Sequence, residues 1–272
     1  MGNCIPTTST LVEVTSPLGG TYGIDPTEVT RLQYAKFVLD KGDDSAGQIS
    51  ECQWNTIYVP SIDWPPADRP FHPVVGVDWC DARAYCAWAG KRLCGRIGGD
   101  PFADNKEPYT TTAQFFNACS GGGTSVYPYG DSYQLQTCNG PEHDLGGTVP
   151  VASMLGCSSS VEGYAGVFDL SGNVWEWEDY CEGESCYAHG GSFGWYAKPG
   201  DGPLQCTGKS MLGRHDYQIN GVKDIGFRCC SDPYSFLVPC RSTPLARTAP
   251  NSQPPCPPPA DPVPWATRRI LP

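Results

Sequence analysis

The chain has 272 residues, with 15 Cys, 32 Gly, 27 Pro, 17% charged residues and a formal net charge of −11. So few charges beside so much Gly and Pro exclude a coiled coil or an Ala/Glu/Lys/Leu-rich bundle, and the lack of any apolar run of about 18 residues excludes a membrane-spanning helix. The acidic balance makes nucleic acid and anionic membranes poor partners and cations better ones.

In chain order, the Ser/Thr-rich residues 1–18 read as a leader or loop. The opening MGNCIPTTST has neither the basic nor the apolar region of an export signal, and Pro6 stands where N-myristoylation wants Ser or Thr. TRLQYAKFVLDK (Thr30–Lys41) carries a helical apolar stripe with Thr30 as N-cap. VDWCDARAYCAWA (Val77–Ala89) is a second helix, capped by Asp78 and stopped by Gly90, and TTTAQFFNA (Thr110–Ala118) is a shorter third. Elsewhere Gly, Pro, Ser and Asn interrupt every run, so short strands and long loops are expected, held by staples. The compact domain is placed at 19–230. Residues 231–272 hold 12 of the 27 prolines, a composition suited to polyproline II or disorder.

Twelve of the 15 cysteines lie between Cys52 and Cys230, enough for six bridges, while Cys4, Cys240 and Cys256 fall outside. There is no C-x-x-C pair, and His72, His143, His189 and His215 lie in separate segments, so zinc-type spacing is absent. The pattern points to a disulfide framework and an oxidising compartment, secreted or periplasmic, with no export signal visible in this chain.

Several segments read together in order. Glu28-Val29-Thr30 leads into the first helix, His72-Pro73-Val74-Val75 precedes the second, and Trp88-Ala89-Gly90-Lys91-Arg92-Leu93 follows it. Then come Tyr127-Pro128-Tyr129-Gly130, Asp169-Leu170-Ser171-Gly172-Asn173-Val174-Trp175-Glu176-Trp177, Gly190-Gly191-Ser192-Phe193 and Ile225-Gly226-Phe227-Arg228. This series resembles the formylglycine-generating enzyme, or sulfatase-modifying factor, family over about residues 19–230. The resemblance implies one irregular α+β domain, C-type-lectin-like, disulfide-rich here and often calcium-stabilised in the family. Active members are copper-dependent oxidases that convert a peptidyl cysteine to formylglycine with molecular oxygen. The fold also hosts ligand-binding and inactive members, so function has to come from the site. Iron-type sulfoxide synthases need a separate His-bearing helical domain, for which this chain has no room.

In the oxidases two thiolates after the Gly-Gly-Ser motif hold Cu(I), a soft ion that favours sulfur. Trp195 stands at the first position and Cys206, eight residues before Arg214, at the second. One thiolate cannot form that site, although Cys186 or Cys230 offers a second sulfur from elsewhere. The resemblance places Cys206 beside the Gly-Phe-Arg strand, so Cys229 or Cys230 is the expected disulfide partner. Trp195 and Arg214 are the expected groove residues for a peptide or other ligand. Arg228 is expected to pair with an acid or carbonyl, His72 to make a structural hydrogen bond, and Trp175 and Trp177 to pack in the core; His215 has no matched role. Calcium takes carboxylates mixed with carbonyls. The resemblance assigns it to Asp169, Gly172, Val174 and Glu176, and a second ion to Asn139, Gly140 and Asp144. The sequence thus favours a non-catalytic extracytoplasmic binding or accessory domain, with a Cys206-dependent oxidase as the alternative.

Overall fold

A computed structural model describes residues 10–42, 44–66, 68–194, 204–213 and 223–232, with the side chains of 209–213 left aside. The chain divides into units Met1–Leu237 and Val238–Pro272, and every described residue belongs to the first. The expected tail therefore lies almost wholly outside the described residues, as do Trp195, Arg214 and His215.

Two short strands open the domain: β1 (Val12–Thr15) and β2 (Thr21–Ile24) pair antiparallel. β1 falls inside the segment expected to be leader or loop, which corrects that boundary. The reason is local: Ser16 and Gly20 close a turn (Ser16 N to Gly20 O, 3.0 Å), and this folds Val12–Thr15 back onto its partner. Helix α1 (Arg31–Lys41) and helix α2 (Trp79–Trp88) start where their caps predict. Each has a full capping box, Thr30 with Gln33 and Asp78 with Asp81. Strand β3 (Arg92–Leu93) follows α2. The third helix, α3 (Gln114–Cys119), begins later than the sequence suggested. Thr110 and Thr112 instead bond back onto Glu107, extending a 3-10 turn at Glu107–Tyr109.

The remaining strands are β4 (Trp175–Glu182), β5 (Ser185–His189), β6 (Lys209–Gly213), β7 (Ile225–Gly226) and β8 (Cys229–Ser231). The eight strands form two four-stranded sheets, ordered β1-β2-β8-β3 and β6-β5-β4-β7, in which, among the described residues, only β4–β7 is parallel. Among the described residues no helix is long and apolar enough to cross a membrane.

Large rings rather than layered helices fill the core. Tyr34 and Tyr85 stack at 5.6 Å, Phe227 meets Tyr85 edge-on at 5.3 Å, and Trp177 is 1% exposed. Trp175 is buried with them, as expected. Truncating such a ring to Ala costs about 3–5 kcal/mol.

All twelve domain cysteines are bridged: 52–80, 86–229, 94–230, 119–206, 138–157 and 181–186. Cys229 and Cys230 are sequence neighbours on one strand, so their side chains point to opposite faces. Cys229 therefore ties β8 to α2 inside the aromatic cluster, and Cys230 ties it to Cys94 in a second cluster around Val14, Ile24 and Phe115. These bridges close separations of 143 and 136 residues. On a chain-entropy basis each is worth about 5 kcal/mol.

Candidate functional site

The motifs of the resemblance meet around one turn. After β5 the chain reverses through Gly190 and Gly191, with φ of 94° and 74°. A Cβ on Gly190 would sit 3.2 Å from the Phe115 ring and 3.3 Å from the Leu170 carbonyl, so glycine is required. The Gly190 carbonyl accepts from Gly172 N at 2.8 Å, and Phe193 N donates to Asn173 O at 3.1 Å. Ser192 Oγ donates to Asp224 Oδ2 at 2.6 Å. The Gly-Gly-Ser turn and the Asp169–Val174 turn are thus one bonded unit.

Asn173 is its hub. Its φ is 62°, a left-handed conformation that Asn tolerates. Its Nδ2 donates to Glu28 Oε1 at 2.9 Å, and its Oδ1 accepts from Asn139 Nδ2 at 3.1 Å and Val149 N at 2.9 Å. Three remote segments are joined through one amide. In the sequence Asn173 stands only as one residue of the Asp169–Trp177 motif, and nothing there announces its burial beside Glu28.

Below the hub lies a buried charge cluster. Arg228 grips Glu176 with two parallel bonds, Nε to Oε2 at 2.6 Å and Nη2 to Oε1 at 2.7 Å. It also donates to the carbonyls of Asp25 and Phe168. The expected pairing of Arg228 with an acid and carbonyls is what the structure has. Asp169 Oδ2 accepts from Ala152 N at 2.6 Å. Burial pushes the Glu28 carboxyl well above its ordinary range, and the charges of Asp169 and Glu176 add to the effect. Burial also raises Glu176, with Arg228 opposing it. Burial would lower the Arg228 guanidinium, but Glu176, Glu28 and Asp169 outweigh it and hold it above its ordinary value.

Cys206 is 1% exposed and bonded to Cys119 at the end of α3. This corrects the expected partner, Cys229 or Cys230, and also removes Cys186 as a second sulfur, because that residue is bridged to Cys181. The physical reason is where the 204–208 segment docks. Cys206 N donates to Val126 O at 2.9 Å, and Ser171 Oγ donates to Leu204 O at 2.7 Å. The segment therefore lies against the loop after α3, while β8 spends its two sulfurs on Cys86 and Cys94.

Of the second calcium set, Asn139 is buried and its Oδ1 has no partner among the described residues. Gly140 O accepts from His143 N at 3.0 Å, and Asp144 is exposed at a left-handed φ of 48°. No group of three or more His, Cys, Asp or Glu side chains able to hold a metal occurs among the described residues. His72 Nδ1 meets Thr148 Oγ1 at 2.9 Å, the structural bond expected of it.

One pair escaped the sequence reading. His189 Nδ1 lies 2.7 Å from Glu178 Oε2, both fully buried, in a close contact not aligned with the ring N–H. Phe115 stacks on the imidazole at 5.6 Å.

With this fold and this Gly-Gly-Ser turn in view, comparison with known proteins is specific. The chain belongs to the sulfatase-modifying factor enzyme 1-like family, whose domain it matches over residues 16–233. It is 37% identical over 124 residues to the formylglycine-generating enzyme of Thermomonospora curvata, covering 40% of this chain and 34% of that protein. It is 36% identical over 115 residues to the inactive C-alpha-formylglycine-generating enzyme 2 of Bos taurus, covering 39% and 32%. In both comparisons it spans about a third of the relative's length. The solved structure of CarF is similar with a TM-score of 0.49 at 22% identity, covering 78% of this chain and 87% of that one.

Proposed function

We propose that this chain is a non-catalytic, extracytoplasmic member of its family that binds a peptide or protein ligand. The observation that carries the reading is the Cys119–Cys206 bridge. Cys206 stands at one copper-thiolate position of the oxidases, and as a buried half-cystine it has no thiolate to offer. Trp195 replaces the other cysteine in sequence. Every described cysteine is bridged, so the residues present do not fit Cu(I). Similarity to a relative named as inactive supports the same reading. Six bridges in one domain support an oxidising compartment. Trp195 and Arg214 remain the proposed groove residues.

For calcium the two residue sets differ. Asn139 Oδ1 is a buried acceptor without a donor, which a cation would satisfy, so Asn139 is the one residue of its set that an observation supports. At Asp169, Gly172, Val174 and Glu176, Arg228 already supplies a positive charge to both oxygens of Glu176. That set fits calcium less well, and we assign the stabilising ion to Asn139.

The test is an oxidation assay on a cysteine-containing sulfatase peptide with copper and oxygen. The expected result is no formylglycine product. Product formation dependent on Cys206 would establish the oxidase reading, with Cys119 as the second sulfur once the bridge is reduced.

A further inference from the structure

A cleft of about 440 Å³ opens between α2, the Gly99–Phe102 loop and the end of β4. That volume suits a small molecule or a single side chain. Its lining is part aromatic and part charged. Trp79, Phe102 and Tyr180 line it, and Phe102 meets Tyr180 edge-on at 5.4 Å. Two guanidiniums also line it, but both are committed. Arg92 holds Asp232 through Nε at 2.8 Å and Nη2 at 2.7 Å. Arg96 holds Glu107 at 2.7 Å and Asp100 at 3.1 Å. Their charge is spent on these acids, so an anionic ligand would have to compete with carboxylates already in place.

Asp179 is the exception. Its half-buried carboxylate makes no hydrogen bond and no ion pair with any described residue, and feels Arg83 and Arg92 only at longer range. Desolvation raises its carboxyl, and an arriving positive charge would favour its ionised form. The Trp79 indole already carries one cation from within the chain, Arg83, 6.0 Å from the ring centroid.

We propose that this cleft binds a primary ammonium on an apolar stem, the chemistry of a lysine side chain, with Asp179 as counter-ion and the rings of Trp79, Phe102 and Tyr180 as its walls. The carboxylate meets the ammonium head, and the aromatic walls take the methylene stem and add cation–π attraction. The site stands independently of the state of Cys206.

Titration of the full chain with N-acetyl-lysine methylamide, followed by amide proton–nitrogen spectra, tests it. Saturable shifts are expected at Gly99, Phe102 and Tyr180. The neutral norleucine analogue should bind at least about tenfold more weakly. Asp179→Asn should lose a similar factor, and it breaks no direct hydrogen bond or ion pair with a described residue. Should that variant fail to fold, the contrast between lysine and norleucine probes on the unaltered protein decides. Equal binding of the norleucine analogue, preferential binding of N-acetyl-glutamate methylamide, unchanged affinity in Asp179→Asn, or no shifts at those amides would each overturn the proposal.

Discussion

Cys206 is bonded to Cys119, 87 residues earlier in the chain, and both sulfurs lie in the core. The cysteine that the family resemblance leads one to expect at a copper position is thereby a structural staple. The bridge fixes the 204–208 segment against the loop after α3. Replacing both residues by Ser should cost about 2–5 kcal/mol in denaturant unfolding. A stability change within a few tenths of a kcal/mol would show that the segment is held by its backbone bonds alone.

The Arg228–Glu176 pair joins β8's approach to β4 with both partners 1% exposed. Removing one partner leaves the other buried and uncompensated. Glu176→Gln and Arg228→Met should each destabilise by about 3–5 kcal/mol. The double variant should recover part of that loss, and simple additivity in a double-mutant cycle would argue against a direct pair.

Asp78 and Asp81 cap α2 from buried positions, and Asn55 Nδ2 donates to Asp81 at 2.8 Å. Burial pushes Asp78 up to about 7, and burial plus the Asp78 charge raises Asp81 well above its ordinary value. The folded state therefore holds protons that the unfolded chain releases near pH ~4. Stability from these groups is present at low pH and is lost as pH rises through about 7. Thermal unfolding should show a Tm higher at pH 5.5 than at pH 8 by about 2–4 °C. Asp78→Asn keeps a good N-cap and should flatten the profile. A Tm that rises from pH 5.5 to 8 contradicts this.

Calcium at Asn139 should raise Tm, because a ligand that binds only the folded state stabilises by about 2.7 kcal/mol at a hundredfold excess over Kd. Asn139→Ala should abolish the response to added calcium and to its chelation. A calcium response that survives in Asn139→Ala and vanishes in Asp169→Asn would move the ion to the Asp169 loop.

Local chemistry made the helices legible in the sequence. Thr30 and Asp78 announce α1 and α2 because caps act within four residues. The bridges were legible in number but not in partner. Cys206 finds Cys119 only once the chain has packed, and no spacing encodes where residues 204–208 dock. The alternation Trp175, Glu176, Trp177, Glu178 reads as a half-exposed strand, yet both acids are buried, Glu176 on Arg228 and Glu178 against His189. The strand β1 was missed because its evidence is its partner, β2, and not its own four residues.

The most direct measurement is a non-reducing peptide map of the protein after thiol labelling. The expected result is a linked peptide pair carrying Cys119 and Cys206, with neither labelled. A labelled Cys206, protected by Cu(I), would contradict it and return the oxidase reading to first place.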